Sequence, residues 1–237
     1  APDESLAGIL HECAAAALSM GVPDLAAELS ALAIGHSTDP VSLPDRLDRL
    51  ADALLRAGDS HGSARAARSA VDATPDPVVR ARRRVRLAEI LTETEGGAAA
   101  EDETRVAMHE ARSDPTTRAE ALLTFAAITD DILQANSAAS EAVTLIESLA
   151  HPDPQVLSGA LAQAAGAAFR AGFGLDHERF AQAIELERRG PPRRLSDRAD
   201  ASYAALRKYA DDVDGAAAML DTLLDEARAS GDVSSIC

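Results

Sequence analysis

The sequence predicts an all-α protein, and three observations support that fold class. Alanine, the residue with the highest helix propensity, occurs 53 times among the 237 residues. Strand-favouring aromatic residues are scarce, with no tryptophan, two tyrosines and four phenylalanines. Asp-Pro pairs recur at a nearly constant interval, and each of them precedes a long helical pattern.

These pairs divide the chain into repeat units. They stand at Asp39-Pro40, Asp76-Pro77, Asp114-Pro115 and Asp153-Pro154, and Pro191-Pro192 comes next, so that successive prolines are 37 to 39 residues apart. Proline suits the first turn of a helix because it lacks an N–H group and fixes φ, and an aspartate before it supplies an N-cap acceptor. Each pair therefore indicates that one helix ends and the next begins.

A break near the middle of each unit predicts two helices per unit. The breaks are Gly58-Asp59-Ser60, Gly96-Gly97, Asn136-Ser137, Gly172-Phe173-Gly174 and residues 211–214. Glycine and asparagine suit the left-handed backbone conformation that ends many helices. The first helix of each unit, helix A, is predicted at residues 43–57, 78–95, 116–135, 155–171 and 195–209. The second, helix B, is predicted at residues 61–74, 98–113, 138–150, 176–189 and 215–230. Residues 4–20 and 23–34 form one more hairpin before them.

The spacing of apolar residues predicts that these hairpins stack on one another. In the first helix A, Leu43, Leu47, Leu50 and Leu54 recur at steps of three and four residues, and the many alanines let neighbouring helices approach closely. We therefore expect a right-handed α-solenoid of about six antiparallel hairpins, forming one domain over residues 1–237. Its parts are an N-terminal hairpin at 1–39, units at 40–76, 77–114, 115–153, 154–191 and 192–230, and the start of a further truncated unit at 231–237.

Composition and charge exclude several classes of function. The formal net charge of −16 repels phosphate groups, so we expect no direct contact with nucleic acid or with an anionic membrane surface. No apolar run approaches the ~18 residues that span a bilayer, and the first residues lack the basic region of a signal peptide. Cys13 and Cys237 form neither a disulfide framework nor a zinc motif, and Cys13 is expected to be buried. A cytoplasmic protein is the expectation.

The helical hairpins resemble the tetratricopeptide superfamily, although its tryptophan signpost is missing. A second resemblance, over about residues 43–237, is to the central helical region of the large ATP-binding regulators of the LuxR family. It is carried by Ala210-Asp211-Asp212-Val213-Asp214 and by Gly231-Asp232, which match an acidic run and a closing Gly-Asp pair of that region.

The LuxR family implies an N-terminal ATPase, a helical-repeat middle and a C-terminal helix-turn-helix that activates transcription. The chain contains no GxxxxGK[ST] loop, since Lys208 is its single lysine, and no DNA-reading helix-turn-helix. The resemblance therefore implies the middle segment of a longer bacterial regulator, and we expect the native protein to exceed this chain in length.

Motifs for catalysis are incomplete. His11, His109 and His177 each precede a glutamate but lack the second histidine of HExxH. Asp130 and Asp131 begin a DDxxQ run in a predicted helix, similar to the acidic clusters with which all-α prenyl-transferring enzymes hold Mg²⁺ on a diphosphate. A second acidic cluster and an aromatic lining are missing. We expect no catalytic activity, metal or cofactor, and a Mg²⁺-dependent diphosphate enzyme using Asp130 and Asp131 is a distant alternative.

The arginines of the A helices are the candidate binding residues. Counted from the proline of each unit, Arg46, Arg83 and Arg198 share one position, and Arg80 and Arg118 share another. Equivalent positions stack in a repeat protein, so these arginines predict an intermittent basic stripe in the groove lined by the A helices. Tyr203 and Arg207 of the last complete helix A belong to the same predicted groove. The alternative is that the arginines pair with acidic residues of neighbouring helices.

The function predicted from the sequence is that of a sensor or protein-interaction module without catalytic activity, within a larger cytoplasmic transcriptional regulator. Its groove would take an acidic segment of a protein partner or a small anionic effector, because arginine suits the recognition of carboxylate and phosphate groups. A free-standing scaffold that binds one protein partner is the alternative. The alanine-rich faces also make a homo-oligomer an open possibility.

Overall fold

The protein is helical throughout the part that the computed structural model describes, which is residues 2–191, 195 and 198–230. This part contains twelve α-helices and no strand. They are α1 (Glu4–Ser19), α2 (Pro23–His36), α3 (Leu43–Arg56), α4 (Ser60–Asp72), α5 (Pro77–Thr94), α6 (Gly97–Glu110), α7 (Pro115–Ile128), α8 (Ile132–Glu147), α9 (Pro154–Arg170), α10 (His177–Glu187), α11 (Ala199–Tyr209) and α12 (Val213–Ser230). The predicted all-α class is confirmed.

The helices group into two compact units, Ala1–Ile128 with α1 to α7 and Thr129–Cys237 with α8 to α12. In the first unit α1 packs on α2, α3 on α4 and α5 on α6, while α7 contacts both α5 and α6. In the second unit α9 packs on α8, α10 and α11, and α11 packs on α12. Consecutive helices joined by short turns thus form antiparallel hairpins within each unit. A single domain without an internal boundary stays a prediction.

Alanine fills most of the core in both units. In α4 the buried residues include Ala64, Ala66, Ala67 and Ala70, and in α9 nine residues are buried, of which the largest are leucines. Large fully buried side chains are few among the described residues and include Phe180, Leu87 and Ile146. Because alanine places no atoms beyond Cβ, helices with alanine faces pack at short distances between their backbones.

Aspartates and prolines start the helices as the sequence predicts. Asp76 accepts hydrogen bonds from the N–H groups of Val78 and Val79, and Asp153 accepts one from Gln155 at 2.8 Å. Pro77 and Pro154 occupy the first helical position after these caps, and Pro115 begins α7. The predicted starts of the units at residues 77, 115 and 154 therefore coincide with the starts of α5, α7 and α9.

Glycines end the helices at three of the predicted breaks. Gly58, Gly96 and Gly172 have φ angles of 87°, 90° and 85°, in the left-handed region that a residue without Cβ adopts at little cost. At the last break, which contains no glycine, Asp211 adopts φ 62° instead. The two-helix unit is thus built by the turn chemistry that the sequence indicates.

The predicted break at Asn136-Ser137 is wrong. Both residues lie inside α8, and the break falls at residues 129–131 instead. The physical reason is the N-cap: the Asp131 side chain accepts hydrogen bonds from the N–H groups of Leu133 and Gln134, each at 3.0 Å. An asparagine in a helix interior costs only a few tenths of a kcal/mol, whereas a capped aspartate starts a helix.

Two further expectations are corrected, and two more concern residues that the structure does not describe. Cys13 is exposed, not buried, because α1 turns Ala7, Ala14 and Ala17 inwards and Cys13 lies outside that face. The last helix A begins at Ala199 and not at residue 195. The predicted unit start at Pro192 and the predicted truncated unit at 231–237 lie outside the described residues.

Removing the N-cap of α9 should destabilise the second unit. We expect Asp153→Ala to lower the free energy of unfolding by about 1 kcal/mol, because the Gln155 N–H loses its acceptor, whereas Asp153→Asn should retain most of the stability. Urea unfolding followed by helical circular dichroism measures both changes. Equal stability of all three proteins would contradict the capping role.

Candidate functional site

The predicted groove arginines are largely engaged within the protein. Arg46 of α3 is buried, and its guanidinium donates hydrogen bonds to the Glu4 carboxylate of α1 and to the Ser37 hydroxyl. The second oxygen of Glu4 accepts the N–H groups of Thr38 at 2.7 Å and Asp39 at 2.9 Å. Arg46 and Glu4 thus fasten the turn between α2 and α3 to the first helix.

Arg80 and Arg83 of α5 fasten the turn between α4 and α5 in the same way. Arg80 donates to the carbonyl oxygens of Thr74 at 3.0 Å and Pro75 at 3.2 Å, and its Nε donates to Glu110 at 2.8 Å. Arg83 donates to the Thr74 hydroxyl at 2.8 Å, a contact that residue spacing does not predict.

The remaining donors of Arg83 bind carboxylates of α3. Its Nε lies 2.6 Å from Asp48, and an Nη atom contacts Asp45. Burial raises the pKa of the Asp48 carboxyl although the Arg83 guanidinium lowers it. Arg82, Arg84 and Arg86, the other arginines of this helix, pair with Asp114, with Glu103 and Glu110, and with Asp52.

The candidate residues of the second unit are engaged as well. Arg198 makes a two-pronged pair with Asp200, at 2.9 and 2.6 Å, and a third bond to Glu226 at 2.8 Å. Arg207 pairs with Asp212 at 2.6 Å and lies over the ring of Tyr203, 5.6 Å from its centroid.

Tyr203 joins a small aromatic cluster. Its ring stacks on Phe180 with centroids 4.9 Å apart, and its hydroxyl lies 2.6 Å from His177 Nδ1. Arg118, the remaining predicted residue, is half-buried on α7. The alternative interpretation, pairing with acidic neighbours, therefore describes Arg46, Arg80, Arg83, Arg198 and Arg207, and a ligand-binding role for the seven residues stays a prediction.

A cleft between α9 and α11 is an open concave surface on two A helices of the second unit. Its volume is about 370 Å³, and its lining consists of Gly159, Ala162, Gln163, Gly166, Arg170, Arg198, Ala199, Ser202, Ala205 and Leu206. The floor is made of small residues one helical turn apart on α9, at positions 159, 162 and 166. Packing between helices alone explains such a stripe of small residues, so the sequence pattern does not reveal the cleft.

Arg170 distinguishes this cleft from the arginine pairs described above. It lies exposed at the last turn of α9, and it has no carboxylate partner among the described residues. A methyl group on Gly166 would lie 3.8 Å from Arg170 Nη1 and 3.7 Å from Leu206 Cδ1, so the guanidinium reaches back over the small-residue floor. The sequence does carry a signal for Arg170, because it lies 16 residues after Pro154 and Arg56 lies 16 residues after Pro40. The predicted stripe considered only two earlier positions of helix A and so did not include this one.

The acidic pair Asp130-Asp131 lies between helices and not within one, which corrects its predicted placement. Asp131 is the N-cap of α8, and hydrogen bonds from the N–H and the side chain of Gln134 lower the pKa of its carboxyl. No group of three or more potential metal-ligating side chains occurs in the part of the chain that the structure describes. None of the helices described there is long and apolar enough to cross a membrane.

Comparison with solved structures gives the same fold. A putative kinesin light chain of Podosopora anserina with nearly identical TPR-like repeats has 14% identity over 79% of this chain and 97% of its own, with a TM-score of 0.64. The apo form of RapI has 11% identity over 93% of this chain and 63% of its own, with a TM-score of 0.73. A Rap protein complexed with competence and sporulation factor has 16% identity over 92% of this chain and 65% of its own, with a TM-score of 0.55.

These similarities show a TPR-like helical-repeat fold, as the sequence predicts. No family model matches the chain, and no curated protein matches it either. The narrower resemblance to LuxR-family regulators stays a prediction.

The ion pair of Glu4 and Arg46 should show itself in the pH dependence of stability. The hydrogen bonds from Arg46 and Thr38 lower the pKa of Glu4 from its ordinary value of 4.5 to about 2. This stabilisation is present above about pH 4.5 and is lost as the pH falls towards about 2. We expect Glu4→Gln to be less stable than the wild type at about pH 7, and the difference to shrink as the pH falls.

Urea unfolding at a series of pH values measures this difference. Glu12→Gln, at an exposed glutamate of the same helix, is the matched control and should change stability little. A deficit of Glu4→Gln that is the same at every pH would contradict the proposed ion pair.

Proposed function

We propose that the chain is a non-catalytic protein-interaction module, and that a segment of its partner binds in the cleft between α9 and α11. The observation that carries this proposal is Arg170, which has no carboxylate partner in the described part of the chain and lies beside a small-residue floor. Support also comes from the fold, because TPR-like neighbours include a Rap protein complexed with competence and sporulation factor.

The chemistry of the cleft favours an extended segment that carries a carboxylate. Gly159, Ala162 and Gly166 have almost no side chain, so a partner backbone can approach α9 closely. The Arg170 guanidinium offers planar paired donors to an acidic side chain or to a C-terminal carboxylate. Arg198 at the other edge is neutralised by Asp200 and Glu226, and it therefore orders the cleft wall while Arg170 supplies the charge.

The wider role that we propose is that of the sensor or interaction segment of a larger cytoplasmic, ATP-binding transcriptional regulator. The sequence resemblance of residues 210–214 supports it, and in the structure Asp212 of that run binds Arg207 and caps α12 through the N–H of Gly215. A free-standing TPR-like scaffold is compatible with the same fold.

Filling the cleft should abolish partner binding without unfolding the protein. Peptides that bind the full chain are first selected from a random dodecapeptide display library. We expect their affinity for the Gly166→Met variant to be at least about tenfold lower than for the wild type, since the new side chain occupies the floor of the cleft. Arg170→Gln should lower the affinity for acidic peptides by a similar factor, because one charge-assisted contact is lost. Fluorescence anisotropy with the synthetic peptides measures both.

The matched control is Gly35→Met, at an exposed helical glycine of α2 where an added Cβ would have no neighbouring atom within 4 Å. Peptides that bind Gly166→Met and the wild type equally would refute the assigned cleft. Enrichment of basic peptides only would refute the role of Arg170.

The size of the native polypeptide distinguishes a segment of a larger regulator from a free-standing scaffold. If the chain is part of a regulator, an immunoblot of source cells with an antibody against it should show a band several times larger than 24.6 kDa. A band at 24.6 kDa would replace the regulator by the free-standing scaffold. Neither outcome depends on which peptides bind the cleft.

A further inference from the structure

A second cleft lies in the first unit, where two inter-helix turns meet. The turn between α2 and α3 together with the first turn of α3 forms one wall, and the turn between α4 and α5 together with the first two turns of α5 forms the other. The volume is about 420 Å³, and the lining is Pro40, Val41, Pro44, Asp45, Ala73, Thr74, Pro75, Asp76, Val79 and Arg83. This volume falls within the range of about 300–1,000 Å³ that ligand sites occupy.

Both walls are fixed before any ligand arrives. Asp39 accepts the N–H groups of Val41 at 2.9 Å and Ser42 at 3.2 Å, which closes the first turn. Arg80 and Arg83 hold the second turn through the carbonyl and hydroxyl oxygens of Thr74. Three prolines further restrict the backbone of the lining. A preformed cleft of this kind does not have to be ordered on binding, which favours affinity.

The surface of this cleft is mainly apolar and open to solvent. Val41 is 81% exposed and Val79 is 39% exposed, and proline rings flank them. Pro40 and Pro75 are exposed as well, whereas Pro44 is buried. Covering the two valines and the two exposed proline rings removes apolar area from water, which is the general driving force for inserting an aliphatic side chain.

The charge at the mouth of the cleft is negative. Asp45 and Asp76 are exposed carboxylates, the Asp45 side chain being 70% exposed. The opposing side chain of Arg83 is only 11% exposed, and its guanidinium already contacts Asp45, Asp48 and Thr74. A ligand therefore meets carboxylates before it meets the arginine, and the net charge of −16 adds to the attraction of cations.

We propose that this turn cleft binds a short segment of a partner protein in which a branched aliphatic side chain stands next to a lysine or arginine. The aliphatic group inserts between Val41 and Val79, and the basic group lies over Asp45 and Asp76. This site is separate from the cleft between α9 and α11, and its preference for a basic segment is opposite to that of Arg170.

Two capped tetrapeptides test the proposal on the ¹⁵N-labelled full chain. One has the sequence Gly-Leu-Lys-Gly and the other Gly-Leu-Glu-Gly. We expect the lysine peptide to cause saturable amide shifts at Val41, Asp45 and Val79, with an affinity at least about fivefold above that of the glutamate peptide. Val79→Ser and Val41→Ser should each lower the affinity for the lysine peptide at least about threefold, because apolar contact is lost. Val41 lies outside any helix, so its substitution does not alter a helix.

Val106→Ser is the matched control, since Val106 is 41% exposed on α6 of the same unit and does not line the cleft. It should leave the affinity unchanged, and circular dichroism establishes that each variant is folded. The proposal is overturned if the two peptides bind equally, if the glutamate peptide binds better, or if no shift occurs up to about 10 mM peptide, a concentration at which even weak contacts register. Shifts confined to residues 159–170 would overturn it as well and would leave the cleft between α9 and α11 supported.

Discussion

Close contact between alanine faces is the constraint on which both units depend. Buried alanines such as Ala64, Ala67, Ala164 and Ala167 bring helix backbones together, but each of them removes little apolar area from water. An alanine core therefore contributes less stability per residue than a core of leucine and phenylalanine. Part of the remaining stability has to come from capping hydrogen bonds at the helix ends and from ion pairs between helices, and the structure contains many of both.

The ion pairs answer this requirement and explain where the arginines are used. An acidic chain with 39 aspartates and glutamates has carboxylates on most helices, so an arginine between two helices finds partners on either side. Arg83 reaches three residues on two elements, and Arg84 reaches both Glu103 and Glu110. Such pairs fix the relative positions of neighbouring helices, whereas isolated exposed pairs contribute little. In both units the arginines between helices thus serve to join neighbouring helices, which accounts for their positions without a ligand.

The sequence predicts helix boundaries well where a proline or a glycine marks them and less well where only capping residues compete. Asp-Pro starts and glycine ends are local, and Pro77, Pro154, Gly58 and Gly172 act as their residue types require. The boundary between α7 and α8 was misplaced because two signals compete there, an asparagine that often ends helices and an aspartate with a glutamine three residues later that starts one. The cleft between α9 and α11 could not be predicted, since a stripe of small residues has the same pattern whether a helix or a partner covers it. The turn cleft could not be predicted either, because it forms where two turns far apart in the sequence come together.

The two clefts differ in how the field of the whole chain acts on them. A basic segment approaching the turn cleft is attracted by the net charge of −16 as well as by Asp45 and Asp76. An acidic segment approaching Arg170 is repelled at long range and attracted only over the last few ångströms, within the reach of the guanidinium. Added salt screens the long-range term in both cases, so it weakens the first interaction and relieves the repulsion that opposes the second. The two proposed sites therefore take segments of opposite charge, and on these proposals ionic strength shifts the balance between them.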